Sequence, residues 1–347
     1  MTSPQGSPER SEGPPAPKSP VFHASAPVRL DFAGGWTDVA PFALEERGVV
    51  VNAAIDLRAE AEVRTGGDGF LLHSDDLKDS LRLTGSESLA ADGRLDLLKA
   101  ALRRSGLGAA ELRTRCDAPA GSGLGSSGAL DVALVAALDA ARGIHRSPLE
   151  LAEEAFALES VEAGLPGGRQ DQYAAALGGF HRFEFEHGRA TAHPLAIQPG
   201  FAAELARRIV VCYTGVSRVS SRAIERVVDA YRRGDSQVLG ALRGLADVAM
   251  RMSEAFIAQD LERIGRLVSE NWMLQQRLDP AMRTAEMAAL ESTMAEAGVL
   301  GCKAAGAGAG GSMFFLVKEP ISAASAAHEA GARVLPVAWS AEGVRVW

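Results

Sequence analysis

The stretch Asp117-Ala-Pro-Ala-Gly-Ser-Gly-Leu-Gly-Ser-Ser-Gly-Ala-Leu130 concentrates glycine and serine in one short loop, and from Leu130 the pattern turns helical. Backbone N–H groups of such a loop can surround a phosphate, with the positive end of the following helix directed at the same charge. A flexible serine-glycine turn would look the same in isolation. The surroundings must decide between the two.

Residues 112–116 read as the strand that delivers the chain into this loop. Beyond it, Leu130, Leu134, Val135 and Leu138 recur at helical spacing. A second helix opens at Ser147-Pro-Leu-Glu150, where Ser147 can cap, Pro148 suits the first turn and Glu150 completes a capping box. Ala152, Ala155, Phe156 and Glu159 then share one face, which places a carboxylate on the buried side. An unpaired buried charge is costly, so Glu159 needs a partner, a metal ion or a function. The next loop, Gly164 to Tyr173, carries Asp171, which can cap a helix running on to Leu177.

Further out, residues 1–20 are Pro, Ser and charge, the composition of a disordered tail. Val28, Leu30 and Phe32 alternate with Arg29 and Asp31 as a strand that enters Ala33-Gly-Gly-Trp-Thr-Asp38. Strands are expected over residues 48–56, 58–64, 69–73, 180–185 and 208–214, with a short helix over 96–104. From residue 220 to about 300 the chain is helical and amphipathic. The shift in composition sets a domain boundary between residues 188 and 200. A second glycine-rich loop, Gly301 to Gly311, feeds a strand over 312–317, then a small helix and closing strands.

With 36 Lys and Arg against 44 Asp and Glu, the net charge of −8 disfavours a nonspecific nucleic-acid binder. Cys116, Cys212 and Cys302 lie far apart and read as reduced core thiols. No apolar run is long enough to span a bilayer and no secretion signal is visible, so a cytoplasmic protein is expected. Walker, dinucleotide and nucleophile-elbow patterns are all missing, and the seven histidines show no ligand spacing. What remains is a glycine loop with two hydroxyls at a helix start, Glu159, Asp171, Arg29 and Asp38. Phosphoryl transfer asks for such parts: donors around phosphates, oxygen ligands for Mg²⁺, and a carboxylate for the acceptor hydroxyl.

In order along the chain, Arg29-x-Asp-Phe-Ala-Gly-Gly-x-Thr-Asp38, Pro119-x-x-x-Gly-Leu-Gly-Ser-Ser127 and Gly306-Ala-Gly-x-Gly-Gly311 resemble the three motifs of the GHMP small-molecule kinases. Gly168-Arg-Gln-Asp-Gln-Tyr173 and Tyr213-Thr-Gly-Val-Ser-Arg218 are most similar to the heptose 7-phosphate kinases, with fucokinase-type enzymes next. The resemblance implies an α+β, two-domain fold: a ribosomal-protein-S5-like N-terminal domain over residues 21–195 and a helix-rich, ferredoxin-like C-terminal domain over 196–347. It implies ATP and Mg²⁺, a small sugar or sugar phosphate as partner, and a possible homodimer. Pro119, Gly121, Gly123, Leu124, Gly125, Ser126 and Ser127 would hold ATP, and Ser127 with Glu159 the metal. Asp171 and Arg29 would be catalytic. Substrate would meet Asp31, Gly34, Gly35, Thr37, Asp38, Arg169, Gln170, Tyr213, Arg218 and Gly308, with Arg169, Arg218 and Arg222 as candidates for the sugar's own phosphate.

The implied reaction is ATP-dependent phosphorylation of the anomeric hydroxyl of a heptose 7-phosphate. Alternatives are a kinase for a free sugar such as L-fucose, or a sugar- and ATP-binding sensor without turnover. Structural roles stay open for the same residues: Asp171, Ser126 and Ser127 as helix caps, Arg29 and Glu159 as plain ion-pair partners. Two departures stand out. Trp36 occupies a place where similar sugar kinases often have another glycine, and Gly128 replaces the usual Ala or Ser after the double serine.

Overall fold

The computed structural model describes residues 20–215 and 221–347. The expected tail lies outside them but for its last residue, as does Arg218.

Strand β1 (Val21–Ala33) is buried on both faces from Ala24 onward. A strand covered on both sides tolerates only small or apolar residues unless its polar groups are paired. After a short helix α1 (Phe42–Glu45), the expected strands over 48–56 and 58–64 prove to be one, β2 (Gly48–Thr65). Its eighteen residues let it pair with β1 along one edge and, along the other, with two different strands in succession. Then come β3 (Phe70–Ser74), β4 (Asp79–Leu83), α2 (Asp96–Ser105) and β5 (Ala110–Cys116). Helix α3 (Ser126–Arg142) leaves the glycine loop and packs along β1 and β2. Helix α4 (Pro148–Ala157) starts with the expected capping box. A π-helical turn, Leu158–Glu162, follows it, and then α5 (Gln170–Leu177), β6 (Phe180–Glu186) and β7 (Arg189–Pro194).

The chain then builds α6 (Pro199–Arg208), β8 (Ile209–Tyr213), α7 (Ser221–Arg232), α8 (Ser236–Ile257), α9 (Leu261–Leu278) and α10 (Ala285–Met294). It ends with β9 (Val299–Ala304), β10 (Ser312–Val317), α11 (Pro320–Glu329), β11 (Arg333–Leu335) and β12 (Arg345–Val346). The first sheet runs β12-β1-β2-β5-β3-β4, with β6 and β7 continuing from β2, and the second runs β11-β8-β10-β9. Strand β12 returns from the far end of the chain to pair with β1.

The halves share a core. Phe32 of β1 meets Phe256 of α8 edge-on at 4.9 Å and Phe314 of β10 at 5.6 Å. Aromatic packing of this kind makes the junction between the sheets as dry as either interior. Among the described residues no helix is long and apolar enough to cross a membrane.

Candidate active site

A cleft of about 350 Å³ opens where the β1 turn, the 121–127 loop, the start of α5 and the glycines before β10 converge. That is room for a small-molecule ligand. It is lined by Arg29, Asp31, Gly35, Asp38, Gly121, Gly123, Gly125, Ser126, Ser127, Glu159, Gln170 and Asp171, all named from the sequence, together with Trp36, Ile224 and Gly306.

On the glycine side, Gly125 is the N-cap of α3 and neither serine caps the helix. Ser127 instead donates to Glu159 Oε1 at 2.7 Å. Gly125 has φ +75°, and a Cβ there would lie 3.1 Å from Asp171 Cγ and 3.2 Å from Arg29 Cγ. The missing side chain therefore lets the loop backbone approach both residues. Across the cleft, a Cβ on Gly306 would lie 2.7 Å from the Gly123 carbonyl, so the two glycine-rich loops meet backbone to backbone.

Asp171 is not a cap either, since Arg169 holds that position in α5. Its Oδ1 accepts from Arg29 Nε at 2.8 Å. The same guanidinium donates from Nη1 to the Gly123 carbonyl at 2.7 Å and to the Ala305 carbonyl at 3.0 Å. Arg29 thus joins the carboxylate, the first glycine loop and the approach to the second.

Glu159 lies in the π turn beyond α4 rather than on an α-helical face. Its Oε2 accepts from Gln172 Nε2 at 2.7 Å. Burial, and secondarily the negative charge of Asp171, pushes its pKa up, against the Ser127 and Gln172 hydrogen bonds. Asp131, fully enclosed on α3, is raised well above the ordinary aspartate value by burial and by the charge of Glu159. Burial and like charge favour the neutral forms of such acids, and a nearby cation would favour the ionised ones. Among the described residues no three His, Cys, Asp or Glu side chains form a metal cage. A Mg²⁺ arriving with nucleotide needs only one or two protein ligands, and the hydroxyl and carboxylate of Ser127 and Glu159 suit it.

The opposite wall is acidic. Asp38 accepts from the Gln170 backbone N–H at 3.0 Å, and burial pushes its pKa up to about 6. Asp31 is held by Lys303 Nζ at 2.7 Å. Trp36 has φ +84°, is 7% exposed, and its Nε1 has no partner among the described residues. The left-handed backbone is the physical reason glycine suits that position.

Other expected residues lie elsewhere. Thr37 is fully enclosed, its hydroxyl donating to the Gly34 carbonyl at 2.7 Å and accepting from the Val49 N–H at 2.9 Å. Gly34 donates its N–H to Asn271 Oδ1 at 2.9 Å. Leu124 is core, its carbonyl accepting from the Arg29 N–H at 2.9 Å, and Pro119 closes a turn with Ser122. Arg169 turns away to Glu153 and the Gly188 carbonyl and lies over the Phe156 ring. Tyr213 ends β8 opposite Ser312, and Gly308 packs on Met282. Arg222 is exposed.

Sequence reasoning passed over Lys303, Asp131 and Gln172. A signal existed for two of them: one lysine amid Leu300-Gly-Cys-Lys-Ala-Ala305, and one acid amid Ala129-Leu-Asp-Val-Ala133, are charges in stretches otherwise fit only for burial.

Residues 94–179 match the GHMP kinases N terminal domain and residues 252–336 the GHMP kinases C terminal domain. The D-glycero-alpha-D-manno-heptose 7-phosphate kinase of Campylobacter jejuni is 30% identical over 94% of this chain and 99% of its own length. A bifunctional fucokinase/GDP-fucose pyrophosphorylase of Arabidopsis thaliana is 29% identical over 84% of this chain, which spans only 29% of that longer protein. Among solved structures, a D-glycero-D-manno-heptose 1-phosphate kinase from Bacteroides thetaiotaomicron superposes with TM-score 0.78 at 26% identity, covering 94% of this chain and 98% of that one. The two-domain α+β fold, the motifs and these relatives agree, and the chain belongs to the GHMP kinases, phosphotransferases that act on an alcohol acceptor.

Proposed function

We propose that this protein transfers the γ-phosphoryl group of ATP to the anomeric hydroxyl of a heptose 7-phosphate. The observation that carries the reading is the reach of Arg29, which ties Asp171 to the Gly123 carbonyl and so sets a carboxylate against the phosphate-cradling loop. Residues 121–127 hold the nucleotide phosphates through backbone N–H groups. Ser127 and Glu159 hold the metal. Magnesium, when bound, neutralises charge that gathers on the phosphate oxygens. Asp171 accepts the proton of the acceptor hydroxyl or aligns it, and Arg29 stabilises charge on the transferred group. Asp31, Asp38 and Gln170 meet sugar hydroxyls, while Thr37 and Gly34 shape the turn that carries them.

The relatives' names support a heptose phosphate but differ on the phosphate's position, 7 in one and 1 in the other. Incubating the purified chain with ATP and heptose 7-phosphate, beside L-fucose and galactose, tests the reading. Phosphorus NMR should show a new signal at the anomeric position. Absence of turnover with the phosphorylated sugar would refute the heptose assignment.

One observation favours a free sugar such as L-fucose instead. Among the described residues lining the cleft the one cation is Arg29, already engaged by Asp171 and two carbonyls, and Arg169 points elsewhere. A second phosphate would then depend on the segment around Arg218 and on Arg222. Substituting those two arginines by alanine raises the heptose phosphate KM if the first reading holds and leaves sugar KM unchanged if the second does.

A further inference from the structure

Among the described residues two lysines are fully enclosed: Lys99, which pairs with Asp92 away from the cleft, and Lys303, which the reaction outlined above leaves without a task. Lys303, on β9, crosses from the second sheet to β1. Its Nζ donates to Asp31 Oδ2 at 2.7 Å and to the Asp31 carbonyl at 2.8 Å. Two residues further, the Ala305 carbonyl accepts from Arg29 at 3.0 Å. Arg29 and Asp31 stand two apart on one strand and so face the same way. Together they clasp β1 to the segment that leads into the second glycine loop.

Asp31 has an unfinished side. Its Oδ1 is buried with no hydrogen-bond partner among the described residues, yet Asp31 lines the cleft beside Gly35, Asp38 and Gln170. A Cβ on Gly35 would lie 2.3 Å from Asp31 Oδ2, so the carboxylate occupies space that any other residue at position 35 would take. A buried carboxylate oxygen lacking a donor is costly alone and becomes favourable once a ligand hydroxyl reaches it. Lys303 supplies an opposite charge on the other oxygen, at 2.7 Å. Lys303 itself is sealed from the cleft, at 0% exposure.

We infer that Asp31 Oδ1 accepts a hydroxyl of the sugar, and that Lys303 is a positioning residue that fixes this carboxylate from the opposite domain. The inference rests on the sugar-kinase reading above, in which Asp31 meets a sugar hydroxyl, and adds to it the oxygen that does so and the residue that holds it, neither of which enters the chemistry. Arg29, by contrast, faces the reacting groups.

The test uses the full chain, ATP, and whichever of heptose 7-phosphate, L-fucose or galactose the wild type phosphorylates. KM for that sugar, KM for ATP, kcat and the melting temperature are measured for Lys303→Met, Lys303→Arg, Asp31→Asn and the double variant Asp31→Asn/Lys303→Met. The expected result is a rise in sugar KM of about 10- to 100-fold for Lys303→Met, the range for a lost charge-assisted hydrogen bond, with ATP KM within about twofold. Lys303→Arg recovers part of the loss. The double variant, having no buried charge left unpaired, regains melting temperature but not sugar affinity. A purely structural lysine would give the opposite: KM for sugar and ATP shifted alike, or wild-type sugar KM restored with stability in the double variant, and either result overturns the inference. If Lys303→Met does not fold, Asp31→Asn decides, since an unchanged sugar KM there also overturns it. A wild type that phosphorylates none of the three sugars refutes the proposed acceptor class and this inference with it. Turnover with an unmoved sugar KM in the variants refutes this inference alone.

Discussion

The cleft has two walls, and they are built from different material. On one, residues 121–127 and Gly306 present backbone, with side chains removed where they would intrude. On the other, Asp31, Trp36, Asp38 and Gln170 present side chains, three of them carboxylate or amide groups held by residues far away in sequence. Backbone donors recognise what every nucleotide triphosphate shares, and a short contiguous motif can encode them. Side chains recognise a shape and a pattern of hydroxyls, and these can change one residue at a time. The comparison predicts that substitutions on the glycine wall damage turnover with any sugar, whereas those on the acidic wall alter which sugar is used or how stable the fold is.

Asp171, where the walls meet, should give the largest effect. Asp171→Asn keeps an oxygen for Arg29 Nε but cannot accept a proton, so kcat should fall about 10²- to 10⁴-fold with nucleotide affinity retained. Single-turnover kinetics check this, and activity within tenfold of wild type would remove Asp171 from the chemistry.

Asp38 distinguishes the acidic wall by its pH dependence. Its pKa is about 6 in the folded chain, against 3.8 for an unperturbed aspartate, and burial is the main cause. Below pH 4 both folded and unfolded forms are protonated and nothing differs. Between pH 4 and 6 the unfolded form releases its proton while the folded form keeps it, so stability falls as pH rises. Above pH 6 the full cost is present, on the order of 3 kcal/mol. Asp38→Asn keeps an acceptor for the Gln170 N–H and escapes this cost. Urea unfolding should find the variant more stable than wild type at pH 7, with the difference vanishing near pH 4. A pH-independent difference would show that Asp38 ionises as freely in the fold as out of it.

The glycine wall is tested by two glycines with similar backbone angles. Gly125 (φ +75°) faces Asp171 and Arg29, whereas a Cβ on Gly143 (φ +68°), at the other end of α3, would meet nothing within 4 Å. Both alanine variants should lose about 1 kcal/mol of stability through the left-handed backbone. Only Gly125→Ala should also lower kcat/KM, by roughly 10- to 100-fold, because it displaces Asp171 and Arg29, the groups proposed to act on the transferred phosphoryl. Equal activity in the two would mean that the loop tolerates displacement.

The same contrast explains what the sequence disclosed. Strands β1, β5, β6, β8 and β10, the capping box of α4 and the glycine loops were legible because local periodicity and turn chemistry encode them. Strands β4, β7 and β9 were missed: Asp79–Leu83 and Arg189–Pro194 are short, half-buried edge strands, and residues 301–304 of β9 read as the start of the second glycine loop. The union of residues 48–65 into one strand depends on partners on both edges, which no local pattern contains. Glu159 was found, but its π turn was not, since the helical pattern continues through it. Lys303 and Asp31 are 272 positions apart, and only the fold makes them a pair.

Trp36 is the finest probe of the acidic wall. A non-glycine residue at φ +84° costs about 1 kcal/mol or more, and an indole N–H buried without an acceptor adds to that. Packing in one buried cluster with Phe42 and Ile224 offsets part of the cost through the ring, but among the described residues nothing accepts from the N–H. Trp36→Phe keeps backbone and aromatic packing and removes that N–H alone. If the indole donates to the sugar, sugar KM rises about 2- to 10-fold while ATP KM and melting temperature hold or improve. If sugar KM does not move and the melting temperature rises, the N–H is a pure cost, and discrimination on this wall rests on its carboxylates and Gln170.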